Sequence, residues 1–337
     1  MWRALRHAVL DGLTAAALRG APHAPTLLPT WVARLTAAIG PWCPRLASNV
    51  ARNMRALGVY TPQAHREYFR QVAGHLAGAL QALSCAGRQV AEARCRLAGV
   101  AGRQVELDES VARLQRAVER GRGVVLVGPH VVNYLLNLTR LNQVVPVTVY
   151  LRHSKSARRQ AAKERWYEAS GVQWICAPGD QRRPLARLSR MAAAVHAGSV
   201  LFVTPDLPRK AESGLPVRLF DRVVFLPQGA ALLAVWTGAP LFMLTAERCA
   251  AGQRLIVRGP AQPIANGRGR EHRRATVQQY MQWFADGFQQ FLVEQTPLWY
   301  LWGDKRWTQL LSGDPRYGRQ WIDRDRGVAA AGGDGGI

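Results

Sequence analysis

Short apolar runs bounded by glycine or proline recur through the middle of the chain, and stretches of helical spacing separate most of them. GVVLVG (123–128) is the clearest: an unbroken apolar run with the length of a strand buried on both faces. PVTVYL (146–151), VQWIC (172–176), SVLFVTP (199–205), APLFMLTAE (239–247) and QRLIVRG (253–259) repeat the pattern. Asp108-Glu109-Ser110 opens a helix, VARLQRAVERG, that closes at Gly121. Further helices are predicted over 155–169, about 183–197, 228–238 and 275–295. Strand alternating with helix over residues 86–318 predicts one α/β domain with helices on both faces of its sheet.

The two ends read differently. Residues 1–85 are helical and Arg-rich. NVARNMRALG (49–58) is followed by TPQAHREYFRQVAGHLAGALQAL (61–83), where Thr61-Pro62 supplies an N-cap and a first-turn proline. Residues 27–43 are apolar but interrupted by Arg34, and residues 1–20 carry Arg3, Arg6, Asp11 and Arg19. Neither stretch reaches the roughly 20 apolar residues of a spanning helix, and no cleavage site follows a signal core. Trp2, Trp31 and Trp42 suit a lipid headgroup zone, so interfacial, membrane-associating helices are one expectation. Ordinary helices packed on the main domain are the other. Residues 319–337, ending GVAAAGGDGGI, hold too little apolar surface for a core and are expected to be disordered.

Composition adds one strong feature. Among 337 residues, 45 Lys and Arg face 22 Asp and Glu, a net charge of +23. Such a surface attracts polyanions: anionic lipid headgroups, nucleic acid or an acidic carrier protein. Codon bias toward Arg, Ala and Gly is the competing reading for part of the excess. No zinc-finger, RNP or basic-helix pattern accompanies the charge, so nucleic acid is disfavoured. Cys43, Cys85, Cys95, Cys176 and Cys249 are widely spaced without a CxxC, which signals neither a disulfide framework nor a zinc site and suits a reducing compartment.

Candidate chemistry sits where the clearest strand ends. His130 follows Gly128-Pro129, and ligands of open α/β sheets bind at the carboxyl ends of strands. A histidine there has the unperturbed pKa of an acid–base catalyst. On its own, such a histidine is more often a hydrogen-bonded structural residue than a catalyst.

The segment AVERGRGVVLVGPHVVNYLLNL resembles the HLGNWE-type block of the bacterial lipid A lauroyl/myristoyl acyltransferases, with His130 on the family histidine, Asn133 on its asparagine and Tyr134 in place of tryptophan. Position 135 departs: Leu135 stands where the family has Glu or Asp. Residues 202–244 resemble a later block, through Pro205-Asp206, Arg209-Lys210, Pro216 to Phe220, Gly229 to Ala234 and Thr237 to Pro240. Residues 293–311 resemble the family's final block at Pro297, Tyr300, Trp302, Arg306 and Trp307, with Asp304 in place of histidine.

The resemblance covers most of residues 45–311. It implies an α/β fold with a central mixed β-sheet flanked by helices, an apolar acyl tunnel, and no metal or organic cofactor. The implied reaction moves a fatty acyl group from acyl carrier protein or acyl-CoA to a hydroxyl of a lipid or glycolipid. The implied location is the cytoplasmic face of the bacterial inner membrane, peripheral or monotopic, against an anionic lipid surface. His130 would be the general base. The carboxylate that orients the family's histidine is missing at Leu135, and Asn133, Asn137 or Asp206 could take its part. Arg152, Lys155, Arg158 and Arg159, with Arg209, Lys210 and Arg218, are candidates for gripping phosphate on the acceptor or carrier. A solvated basic face is the alternative for each group. Leu135 also leaves open a paralogue that binds lipid without catalysis.

Overall fold

A computed structural model describes residues 44–85, 90–121, 123–151, 153–154, 156–176, 184–220, 222–264 and 269–317, with Trp31 and Arg34 as isolated positions. The expectations for most of residues 1–43, for residues 319–337 and for Arg152 and Lys155 lie outside the described residues. The elements, in chain order, are α1 (Pro44–Ala56), α2 (Pro62–Cys85), α3 (Val90–Gln104), β1 (Val105–Leu107), α4 (Val111–Glu119), β2 (Val124–Val127), α5 (Tyr134–Leu141), β3 (Val147–Tyr150), α6 (Ala157–Ser170) and β4 (Gln173–Ile175). There follow α7 (Pro184–His196), β5 (Val200–Val203), β6 (Leu215–Leu219), β7 (Arg222–Leu226), α8 (Gly229–Thr237), β8 (Leu241–Cys249), β9 (Gly252–Arg258), α9 (Gly269–Glu294) and α10 (Lys305–Leu311).

The expected α/β fold is present, and the sheet is mixed. Its order is β1-β9-β8-β2-β5-β3-β4. Strands β8, β2, β5, β3 and β4 run parallel, and β9 is antiparallel to β8 and parallel to β1. This order explains the apolar runs. Strand β2 lies between β8 and β5 and is buried at every position. A strand covered on both faces has no reason to alternate. The apolar side chains of β2, β5 and β8 meet α5, α7 and α9 in one continuous core.

Residues 215–226 form an antiparallel hairpin outside the main sheet, with Leu215 opposite Leu226. The side chains of β7 alternate between buried and half-buried. Helix α9 holds the hairpin through glutamines: Gln282 brackets the backbone of Arg218, and Gln289 accepts the Phe220 N–H at 2.7 Å.

Candidate active site

Strand β2 delivers His130 and two residues make the delivery work. The Gly128 N–H reaches Val203 O at 3.2 Å, continuing the ladder to β5 for one more step. A Cβ on Gly128 would come within 2.7 Å of Leu244 O and 3.0 Å of the Phe202 ring, so only glycine fits this approach. Pro129 then has no N–H to offer, and the ladder ends. Beyond it the loop is clamped by the segment that follows α9. His130 O accepts the Tyr300 N–H at 2.8 Å, Val132 N–H donates to Leu298 O at 2.9 Å, and Val131 forms an isolated bridge with Trp299.

Val127 of β2 is in register with Val203 of β5, so the residues past both strand ends are neighbours. Asp206 is fully buried there. Its Oδ1 lies 2.5 Å from His130 Nδ1, and its Oδ2 accepts the His130 backbone N–H and the Trp299 indole N–H, each at 2.8 Å. Its own carbonyl accepts the Trp307 indole N–H at 2.9 Å. An ionised carboxylate only accepts, so in the neutral ring the proton belongs on Nδ1 and the lone pair on Nε2. Nε2 lies 3.2 Å from Thr204 Oγ1. The His130 side chain keeps 27% of its surface exposed.

Electrostatics follow from this packing. Burial pulls the His130 imidazolium toward losing its proton. The Asp206 charge and hydrogen bond outweigh that pull, Asp304 adds to them and Arg306 opposes them, leaving His130 above the ordinary histidine value. A second histidine behaves oppositely. His75 on α2 is buried and held down to about 4 by desolvation. Its Nδ1 accepts the Asn133 N–H at 3.0 Å, which requires the neutral ring.

Of the predicted catalytic residues, His130 and Asp206 are in direct contact. The Asn133 side-chain oxygen makes no hydrogen bond to the ring. It adopts the left-handed conformation (φ 60°, ψ 19°) at the start of α5, and its Oδ1 is buried with no hydrogen-bond partner. Asn137 is buried and donates to Gln253 Oε1, so it does not orient His130 either. Leu135 is 2% exposed and belongs to the core. Arg209 and Lys210 follow Asp206 on an exposed loop, where Lys210 pairs with Glu212 at 3.5 Å. Arg218 is exposed on β6, and Arg158 is exposed while Arg159 is half-buried on α6. Asp304 caps α10, accepting the N–H groups of Arg306 at 2.8 Å and Trp307 at 3.4 Å. Thr204, His75 and Trp299 were not singled out in the sequence; only the position of Thr204 at a strand exit, two residues before Asp206, hinted at it.

One small cavity lies next to the histidine's loop. The cavity flanked by Pro129 and Val131 measures about 10 Å³, room for one water molecule, because Phe202, Leu244 and Leu255 fill the space. A cavity of about 1030 Å³ lies at the opposite end of the sheet, around Pro240 at the entrance to β8, with Arg113 and Arg116 of α4 and Arg120 just past it on its wall. It is remote from His130, which lies past the exit of β2. Among the described residues no helix is long and apolar enough to cross a membrane.

An α/β sheet carrying a histidine–carboxylate pair at its strand exits has the parts of a general base and its orienting acid. The narrower placement comes from the sequence of the domain. The model of the family described as bacterial lipid A biosynthesis acyltransferase matches residues 65–309, and the chain belongs to that family. No curated protein matches the chain.

Proposed function

We propose that this chain transfers a fatty acyl group from an acyl thioester to a hydroxyl of a lipid or glycolipid, with His130 as general base and Asp206 as its orienting carboxylate. The observation that carries the reading is the contact between a fully buried Asp206 and Nδ1 of a partly exposed His130. Asp206 fixes the tautomer and turns Nε2 outward. When Nε2 takes the acceptor proton, the imidazolium forms against a carboxylate already in place. Asp206 thus supplies what Leu135 lacks, from just past β5 and 76 residues beyond His130. Arg306, half-buried and close enough for its charge to reach His130, is suited to the developing oxyanion.

The donor is acyl carrier protein or acyl-CoA, both anionic, and the net charge of +23 favours either. The same charge favours an anionic membrane surface, with the protein peripheral or monotopic on the cytoplasmic face of the inner membrane. Arg158, Arg159, Arg209, Lys210 and Arg218 are the described candidates for phosphate contacts, and Arg152 and Lys155 extend the first group along the sequence.

The test is mass spectrometry of lipids incubated with an acyl thioester and the protein. Wild type adds an acyl-sized mass, and His130→Ala loses the addition. Transfer by His130→Ala near the wild-type rate removes the histidine from the mechanism. Lipid binding without transfer in wild type favours a non-catalytic paralogue, for which Leu135 in place of the motif acid is the supporting observation.

A further inference from the structure

The cavity of about 1030 Å³ at the far end of the sheet has no part in the acyl-transfer reading. Its size is that of a small-molecule site. Leu241 is in register with Val125, so Pro240 on the cavity wall is level with Val124 at the start of β2. From there to His130 is six steps along the chain, roughly 20 Å at about 3.3 Å per residue.

The wall of this cavity carries charge of one sign. Arg113, Arg116 and Arg120 are spaced three and four residues apart, which puts them on one face at the end of α4. Arg273 joins them from α9. Among the described residues no Asp or Glu lines the cavity, and none of the four arginines forms an ion pair. Arg113 feels the charge of Asp108, and Arg273 donates to Gly269 O of its own helix at 3.4 Å. The C-terminal end of α4 favours cations and so accounts for Arg116 and Arg120. It does not account for Arg113. Arg273 stands near the start of α9, where the helix dipole favours an anion and opposes a cation. The remaining wall is largely apolar, with Val235, Pro240 and Phe242. Tyr280 is buried beside them, and its hydroxyl has no hydrogen-bond partner among the described residues.

We propose that this cavity is a second binding site, for a phosphate ester or diphosphate that carries an apolar group. The arginines take the phosphate oxygens in pairs, and the Tyr280 hydroxyl donates to another. The apolar group lies against Val235, Pro240 and Phe242. Several cations converge without an acid between them, and a phosphate with two charges matches them better than a single carboxylate does. A membrane lipid with a phosphate headgroup and a soluble nucleotide share this chemistry. The ligand is not the group acylated at His130, so the site stands whether or not the acyl-transfer reading does.

The experiment is calorimetric titration of the full-length protein at fixed ionic strength. The first probes are inorganic phosphate and octyl phosphate below its micellar concentration. Octyl phosphate should saturate one site per chain and bind at least about 10-fold more tightly than inorganic phosphate. Arg113→Ala combined with Arg116→Ala should weaken octyl phosphate by at least about 10-fold at an unchanged thermal midpoint. Arg70→Ala combined with Arg96→Ala removes the same charge from exposed positions on α2 and α3 and should leave binding unchanged. Tyr280→Phe should weaken binding several-fold. Dihexanoyl phosphatidic acid and ADP then separate the two sources, and saturable binding of either, lost in the Arg113 and Arg116 variant, upholds the site. Absence of saturable binding by every probe overturns the proposal. Equal weakening in the two double variants also overturns it, since the general charge of the chain would then explain the binding. Octyl phosphate binding no more tightly than inorganic phosphate overturns the apolar half of the site.

Discussion

Asp206 holds His130 by two contacts, one to the ring and one to the backbone, and is itself held by two tryptophans. The indole of Trp299 donates to Oδ2 and that of Trp307 to the backbone carbonyl. Trp299→Phe keeps the ring and removes one donor from a buried charge. It should cost about 2 kcal/mol of stability by denaturant titration and also lower the acyl-transfer rate. An unchanged midpoint would mean that the indole contributes nothing to Asp206. Asn133 makes the opposite case. Its backbone is left-handed and its side-chain oxygen has no partner, so glycine suits the position. Asn133→Gly should stay within about 1 kcal/mol of wild type and keep its activity; a collapse of transfer would return Asn133 to the chemistry. His130 was legible in the sequence because a buried strand must end somewhere, and Gly-Pro marked the end. The partnership with Asp206 was legible only as one of several options, since nothing in a sequence pairs two residues 76 positions apart.

At the scale of elements, α5 decides how to read the missing acid. Leu135 packs in the core at 2% exposure. Leu135→Glu would bury a carboxylate for which the surrounding core offers apolar neighbours. It should destabilise the fold by several kcal/mol, lowering the thermal midpoint without raising the rate. A gain in rate at unchanged stability would show that position 135 still serves the site. Strands β2, β3, β5, β8 and β9 were legible from their apolar runs, and β4 from a weaker one. The β6–β7 hairpin was not. Pro216 on β6 hid the alternation of a strand whose partner is its own neighbour and whose support is α9. Strand β1, at three residues, is too short for any period to declare itself.

The whole molecule joins a mixed sheet to a strongly basic chain. Strand order was not legible, because apolar runs say that strands are buried and not which ones pair. The charge was legible and its use remains to be tested on membranes. At +23, the protein should sediment with vesicles containing anionic phospholipid and release them as salt rises, since screening lengths fall to about 8 Å at physiological ionic strength. Binding that is equal on neutral vesicles, or indifferent to salt, would assign the attachment to apolar contacts instead.

The pairing of His130 with Asp206 is most directly tested by the pH dependence of acyl transfer in wild type and in Asp206→Asn. Transfer needs neutral His130, so the wild-type rate should rise with pH through an apparent pKa above the ordinary 6.5. Asparagine removes the charge that raises the histidine and leaves the burial that lowers it. The rising limb should therefore move to lower pH while the plateau falls by about 100-fold or more. A limb at the same pH in both proteins, with the same plateau, would contradict the proposed role of Asp206.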